Sequence, residues 1–389
     1  MNEGGPAGQT PFRRTRLTWT LYLLLGLFTF SMGLIGPVVP YLRQEFHLDY
    51  TLAALHMSLF AVGMVAGGLS AAPLMERLGV MTGLWGGVGG TLAGLLLLVL
   101  APNPWLTLAA MLGMSLFATL LLAAIQTALA SLYPASRGRA LMEANVMASL
   151  ACSGAPFLIA LGAGTPLGWR IIAPAFALAA ASVAGFGWSA TRKHGASATG
   201  QAPDAPGPLP RAYWLWWGFN LVSIAVEWCL GFWAAEYLKG LPGHALGVAA
   251  AGAGVFQVGA VAARLLSSWI ATRVGELRIL AGAILVTAVG FPLFWSCAGI
   301  PSAFLGIALC GMGASIFYPL TLSQAVAASG GRVRQASSYL PIASGLSLGL
   351  APLALGRLAD QTSLRTALLA IPVALAVMAG LLAARRRAS

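Results

Sequence analysis

Charge is what this sequence has least of. Only 8% of its 389 residues are charged, 22 Lys and Arg against 10 Asp and Glu, where water-soluble domains carry about 25%. That scarcity excludes an ordinary soluble enzyme. Cysteine is almost as rare: Cys152, Cys229, Cys297 and Cys310 all lie in apolar stretches without CxxC or Cys/His spacing, so neither a disulfide frame nor structural zinc is expected. Four scattered histidines build no metal site, and HExxH, GxSxG, P-loop and paired-carboxylate patterns are absent, which removes the residues that hydrolytic, metal-assisted and ATP-driven chemistry require. No catalytic residue, metal or cofactor is expected. The formal net charge of +12 would suit nucleic acid on a soluble chain, but here the basic residues sit in short segments between apolar runs, where they set topology instead.

What the sequence has in abundance is apolar length. Hydrophobic residues make up 58%, mean hydropathy is +0.82, and crossing a hydrocarbon core takes about 20 helical residues. Runs of that size extend from Leu17 to Leu42, Thr51 to Met75, Val80 to Leu100, Trp105 to Leu132, Ala140 to Ala163 and Gly168 to Ala190. A second set runs from Tyr213 to Leu238, Leu246 to Ala271, Leu277 to Ala298, Pro301 to Ala328, Arg334 to Arg357 and Leu364 to Ala384. The expected fold is all-α and integral to a membrane, with twelve spans as six plus six. The first run, marked by Gly33, Gly36, Pro37 and Pro40 and followed by no cleavage site, reads as a retained helix and not a signal peptide. Sixteen basic residues fall on one side of these spans and five on the other, with Arg264 inside a span, so both termini are expected in the cytoplasm. The stretch from Thr191 to Pro210 is rich in Gly, Pro, Ser and Ala and reads as a flexible linker. The expected organisation is a cytoplasmic tail 1–16, a six-helix bundle 17–190, a cytoplasmic linker 191–212, a second bundle 213–384 and a basic tail 385–389.

The halves align at a constant shift of 196 residues. Tyr41-Leu42 falls on Tyr237-Leu238, Gly63 on Gly259, Arg77-Leu78-Gly79 on Arg273-Val274-Gly275 and Ala155-Pro156 on Ala351-Pro352, the signature of a duplicated unit. Six spans return the chain to its starting side, so the copies have parallel topology, an architecture in which solute binds between the halves and access alternates by rocking.

In span count, central linker, duplication and loop signature the chain resembles the major facilitator superfamily over essentially its full length. That family's loop between helices 2 and 3 follows Gly-x-x-x-Asp-Arg-x-Gly-Arg-Arg; here Ala72, Glu76, Arg77 and Gly79 hold the first four fixed positions and Val80-Met81 replaces the last pair. Ser268, Thr272, Arg273 and Gly275 hold the equivalent places in the second half, without the acid. The resemblance implies a cytoplasmic latch with Glu76 as its acid and Arg77, or Arg137 and Arg139, as partners. The proline of an antiporter motif survives in Gly154-Ala155-Pro156, whereas Ile159-Ala160 stands where that motif has Gly-Gly.

Ionisable side chains inside a span are costly and usually functional. Glu227 lies near or just beyond mid-membrane in span 7, and Asn220, Ser223 and Glu227 at i, i+3, i+7 form one polar stripe. Glu227 is the candidate proton carrier or partner of a cationic solute. Helix packing is its bland alternative. Arg264 serves either the cavity or the latch; Glu143, four positions after Arg139, reads as a gate or capping residue. His56 offers an imidazole that titrates near neutral pH, or a satisfied structural histidine; Asn145 is a further candidate. In the family helices 1, 4, 7 and 10 line the cavity, which by that resemblance nominates Phe30, Thr119, Gln126, Trp228, Tyr318 and Gln324 beside Asn220, Ser223 and Glu227.

The expected function is secondary transport of a small organic solute by alternating access, coupled to protons through Glu227, with efflux of lipophilic or cationic compounds favoured. Proton symport or uniport for uptake of a sugar, carboxylate or other metabolite is the alternative, and a transport-inactive receptor on the same scaffold a remoter one. Expected partners are the solute, protons and membrane lipid, with no nucleic acid; the expected working unit is a monomer in the bacterial inner membrane.

Overall fold

The computed structural model describes residues 13–133, 137–192, 207–240, 245–270, 273–296 and 299–388, with side chains at all of these except 137–139, 267–270, 333, 334, 337, 338 and 385–388. Most of the expected linker, Cys297 and the side chains of Arg137 and Arg139 lie outside the described residues. Among those described, twelve helices are long and apolar enough to cross a membrane. Spans 1 to 6 are Arg16–Phe46, Tyr50–Leu78, Val80–Leu100, Pro104–Leu132, Ala140–Gly162 and Gly168–Thr191. Spans 7 to 12 are Arg211–Lys239, Leu246–Leu266, Glu276–Ser296, Ile300–Ala327, Tyr339–Gln361 and Leu364–Ala384. Large apolar side chains such as Leu69, Leu100, Leu161 and Leu178 stand exposed on this bundle, a surface suited to lipid, in which only helices and closed barrels satisfy their backbone.

Local sequence sets the helix ends. Thr15 caps span 1 in a capping box with Thr18, and Asp49 and Asn103 cap spans 2 and 4 by accepting from Leu52 N at 2.6 Å and Leu106 N at 3.0 Å. Between spans 2 and 3 the chain turns at Gly79, whose φ of 84° a residue with a Cβ adopts only under strain. Span 1 is two helices, Arg16–Gly33 and Ile35–Phe46, meeting at Leu34. Pro37 supplies no N–H for the carbonyl one turn back, so the helical ladder is interrupted there. Span 11 belongs to a helix, Val333–Gln361, that runs a turn past the expected Arg357 end and carries Asp360 with it.

The duplication is visible in packing. A Cβ on Gly63 would strike the Leu112 carbonyl of span 4, and one on Gly259 would strike the Ala308 carbonyl of span 10; both residues of the second contact lie 196 positions after those of the first. Gly94 and Gly290 repeat the relation: a Cβ would come 2.7 Å from Met114 Cα in one half and 2.9 Å from Cys310 N in the other. Thr91 and Thr287, both buried, donate to the carbonyls of Gly87 and Ala283 at 2.7 and 2.9 Å. The halves meet through span 2 against span 11, span 5 against span 8, and the second segment of span 1 against spans 7 and 8.

Candidate functional site

Where span 1 breaks, its backbone is pressed between span 5 of its own half and span 7 of the other. A Cβ on Gly33 would strike the Cys152 carbonyl of span 5, and one on Gly36 would lie 2.7 Å from Gly231 O and 3.0 Å from Phe232 Cα of span 7. Beside this crossing is a cavity of about 40 Å³ lined by Met32, Gly33, Gly36 and Pro37 of span 1, Met57 of span 2 and Pro156 of span 5. Glu227, Trp228, Gly231 and Phe232 of span 7 and Phe256 and Gln257 of span 8 face them. A cavity of that size holds an ordered water, for which about 10–15 Å³ suffices. Glu227 is partly exposed and forms no hydrogen bond or ion pair among the described residues. Arg264 of span 8 donates to Ser149 Oγ of span 5 at 3.0 Å. It lies close enough to Glu227 for the two charges to interact.

The other expected cavity residues divide. Trp228 lines the cavity with Glu227, but Asn220 and Ser223 do not join them. Asn220 is buried and donates to Ser344 Oγ of span 11 at 2.9 Å, and Ser223 donates to the Asn220 carbonyl at 2.9 Å. Phe30 packs on Phe176 of span 6, ring centroids 6.1 Å apart. Thr119 is buried against span 2 at Gly67, its hydroxyl without a hydrogen-bond partner. Gln126 is exposed and Tyr318 half-buried. Gln324 donates to Glu276 Oε2 at 2.6 Å, joining spans 10 and 9 near the end that carries the chain's termini. His56 is fully buried, with Nε2 2.8 Å from Thr107 Oγ1 of span 4 and Nδ1 3.0 Å from the Leu52 carbonyl, the satisfied histidine of its structural alternative. Asn145 donates to the Leu141 carbonyl within its own helix. The reading from four helices missed Met57, Pro156, Phe256 and Gln257, which come from spans 2, 5 and 8.

Of the residues assigned to the latch, Glu76 and Arg77 are exposed at the end of span 2 and form no ion pair with one another; Arg273 is exposed at the equivalent turn. At this terminal end Glu143 receives Arg14, whose Nε and one terminal nitrogen each lie 2.8 Å from a carboxylate oxygen, and Tyr22 donates to the same group at 3.2 Å. The Glu143 bonds hold the Arg14 guanidinium above its ordinary pKa.

At the opposite end, here the loop end, the halves are joined by groups the sequence reading did not single out. Arg43 pairs with the buried Glu236, whose second oxygen has no hydrogen bond, and its guanidinium lies 3.6 Å from the Tyr50 ring centroid. Lys239 donates to the Pro40 carbonyl at 3.1 Å. Asp360 of span 11 accepts from Tyr50 N, Thr51 N and Thr51 Oγ1, and Ser58 donates to the Gly349 carbonyl at 2.6 Å. A signal for the first group was present: Arg43 and Lys239 stand 196 positions apart, as do Pro40 and Glu236.

Known proteins share the fold. Residues 21–253 match the sequence profile of the Major Facilitator Superfamily. An uncharacterized MFS-type transporter of Yersinia pestis is 29% identical over 177 residues, 43% of this chain and 45% of that protein, so the match spans under half the length of the relative. Among solved structures, a bacterial homolog of the human lysosomal transporter Spinster, inward-facing and occupied, superposes with a TM-score of 0.77 at 15% identity over 98% of each chain. The transporter FucP in its outward conformation gives 0.60 at 17% identity, covering 95% of this chain and 98% of that one. With the profile matched from residue 21 through the rest of the first half, all of span 7 and the start of span 8, and with twelve spans in two repeated halves, the chain belongs to the major facilitator superfamily of membrane transporters.

Proposed function

We propose that the protein moves a small organic solute by alternating access, coupled to protons through Glu227, with the structure described here closed toward the outside at the loop end and both termini in the cytoplasm. The observation that carries this is the Glu227 carboxyl, set without a hydrogen-bond partner in the cavity where the two halves cross. An acid so placed can exchange a proton, or meet a cationic solute, each time the cavity changes sides. Met32, Met57, Trp228, Phe232 and Phe256 give the cavity an adaptable apolar wall, which supports lipophilic or cationic solutes leaving the cell. The sixteen-to-five distribution of basic residues supports the orientation, and the better superposition on an inward-facing than on an outward-facing structure supports the state. The bacterial inner membrane is the corresponding location.

Arg264 favours a second reading. Its charge interacts with Glu227 and would suit the carboxylate of a metabolite taken up by symport. The test is a reconstituted proteoliposome carrying a pH-sensitive dye, presented with tetraphenylphosphonium and, separately, with sugars, amino acids and carboxylates. Efflux coupling predicts that the cation drives proton movement opposite to its own, and that Glu227→Gln abolishes it. Full pH-driven transport with unchanged pH dependence in Glu227→Gln would overturn the coupling role, and acidification of the compartment that accumulates a carboxylate would establish uptake instead.

A further inference from the structure

Span 2 starts at the loop end and span 11 finishes there, and the two pack along the seam between the halves. The first turn of span 2 therefore lies beside the last turn of span 11. Two carboxylates hold that first turn. Asp49, the residue before it, accepts from Leu52 N at 2.6 Å and belongs to the same half. Asp360 comes from the opposite half, accepting from Tyr50 N at 2.8 Å with Oδ1 and, with Oδ2, from Thr51 N at 2.8 Å and Thr51 Oγ1 at 2.5 Å. The N–H groups of a helix's first turn have no partner in their own helix, and that end of the helix favours negative charge. Gly356, one turn before Asp360, allows the approach: a Cβ there would lie 2.7 Å from Tyr50 O. Arg43, stacked on the Tyr50 ring, adds its charge to Asp360 as well as to Glu236.

Among the described residues, the related seam between spans 5 and 8 has no such carboxylate at its loop end. Gly164 stands where the repeat would place an equivalent of Asp360, and Gly247, the equivalent of Thr51, packs against Ala160 and Ala163 with a Cβ 3.2 Å from either. The span 5–span 8 seam is instead joined by Arg264 on Ser149 Oγ, whereas the span 2–span 11 seam carries a carboxylate clasp at its loop end.

We propose that Asp360 is a positioning residue of the transport cycle: a detachable helix cap, supplied by the second half to span 2 of the first, that holds the loop end shut. All three of its bonds cross the seam, so separation of the halves breaks them together. Asp49 lies wholly within the first half and keeps its bond, so the start of span 2 stays ordered when the clasp is off. The inference requires the halves to alternate but is independent of the solute and of Glu227.

The test is a distance measurement. In a chain whose four cysteines are replaced by alanine, spin labels at Leu167→Cys and Ile300→Cys report the loop end, and labels at Thr82→Cys and Arg278→Cys report the terminal end; all four positions are exposed. Asp360→Asn keeps the size of the side chain and removes its charge. It should raise the ratio of loop-open to loop-closed molecules roughly fivefold, the factor one charge at a helix terminus supports, with matching closure at the terminal end. Asp360→Glu should restore part of the closed population. Thr51→Val, which removes one bond and leaves both backbone donors, should shift the ratio the same way by less and serves if the Asp360 variants fail to fold. Unchanged distances at both ends in monodisperse Asp360→Asn would overturn the proposal; so would broadening at the loop end alone, which marks fraying of span 11 and not opening. Failure of the Glu227 reading would instead appear in the pH dependence of transport with these distances unaffected.

Discussion

Arg43 pairs with Glu236, and Lys239, the repeat equivalent of Arg43, reaches back to Pro40, the repeat equivalent of Glu236. The two contacts exchange under the relation that maps one half of the chain on the other. Gly36 obeys it as well, since it meets Phe232, its own equivalent, at the crossing of spans 1 and 7. One contact of the pair is a buried ion pair and the other a lysine on a carbonyl, so the charge attraction is concentrated at Glu236.

Removing that charge should therefore cost more than removing Lys239. Breaking a fully buried pair costs about 3–5 kcal/mol; with 17% of the Arg43 side chain exposed, Glu236→Ala should cost about 2–3 kcal/mol. Thermal unfolding in detergent reads the difference. Lys239→Met should change the melting temperature by less than half as much, and an equal loss in both variants would show that the ion pair carries no excess.

A side chain at Gly36 has no room while the loop end is shut. Gly36→Leu should hold the halves apart there, making a cysteine introduced at Phe232 react faster with a membrane-impermeant maleimide added from the loop side than in the parent. If labelling is unchanged and the protein remains folded, the close approach of spans 1 and 7 is not what limits closure.

Gln257 is the uncharged polar side chain of the cavity wall. Once a transported solute is in hand, Gln257→Ala should raise its KM about tenfold, the effect of losing one hydrogen bond of about 1.4 kcal/mol, and leave kcat within a factor of two. A fall in kcat at constant KM would move Gln257 from solute binding to the conformational step.

His56 offers the contrasting case. Its ring is enclosed by groups of its own half, Thr107 and the carbonyls of Leu52 and Ala53, so His56→Phe should lower stability by about 1–3 kcal/mol through the stranded partners without moving the pH profile of transport. A displaced profile in a folded variant would return His56 to the proton path.

The spans were legible because a bilayer demands apolar length, and the duplication was legible because landmarks such as the crossing glycines Gly63 and Gly259 and the turn residues Arg77–Gly79 and Arg273–Gly275 repeat at one offset. The site was only partly legible. Asn220 and Glu227 share a helical face, but seven residues separate them by about 10 Å along the axis. The neighbour at that face changes from span 11 to the cavity as tilted helices cross. Met57, Phe256 and Gln257 carry no signal of their own in sequence; they reach the cavity because spans 2 and 8 close on span 1 and span 7 at this level. Glu236 and Asp360 sit near helix ends, where an acid is cheap and easily passed over, and their meaning comes from the opposite half.

The meeting of Gly36 with Phe232 has a consequence for ancestry. Contacts answered by their exchanged counterparts, as at Gly36–Phe232 and at Arg43–Glu236 and Lys239–Pro40, are those of an isologous dimer interface, here enclosed in one polypeptide. Two separate six-helix units could have met across it before any linker joined them, each offering the same face. The two copies of a position need not stay alike within one chain, and at this seam one copy carries a carboxylate, Glu236, and the other a proline, Pro40.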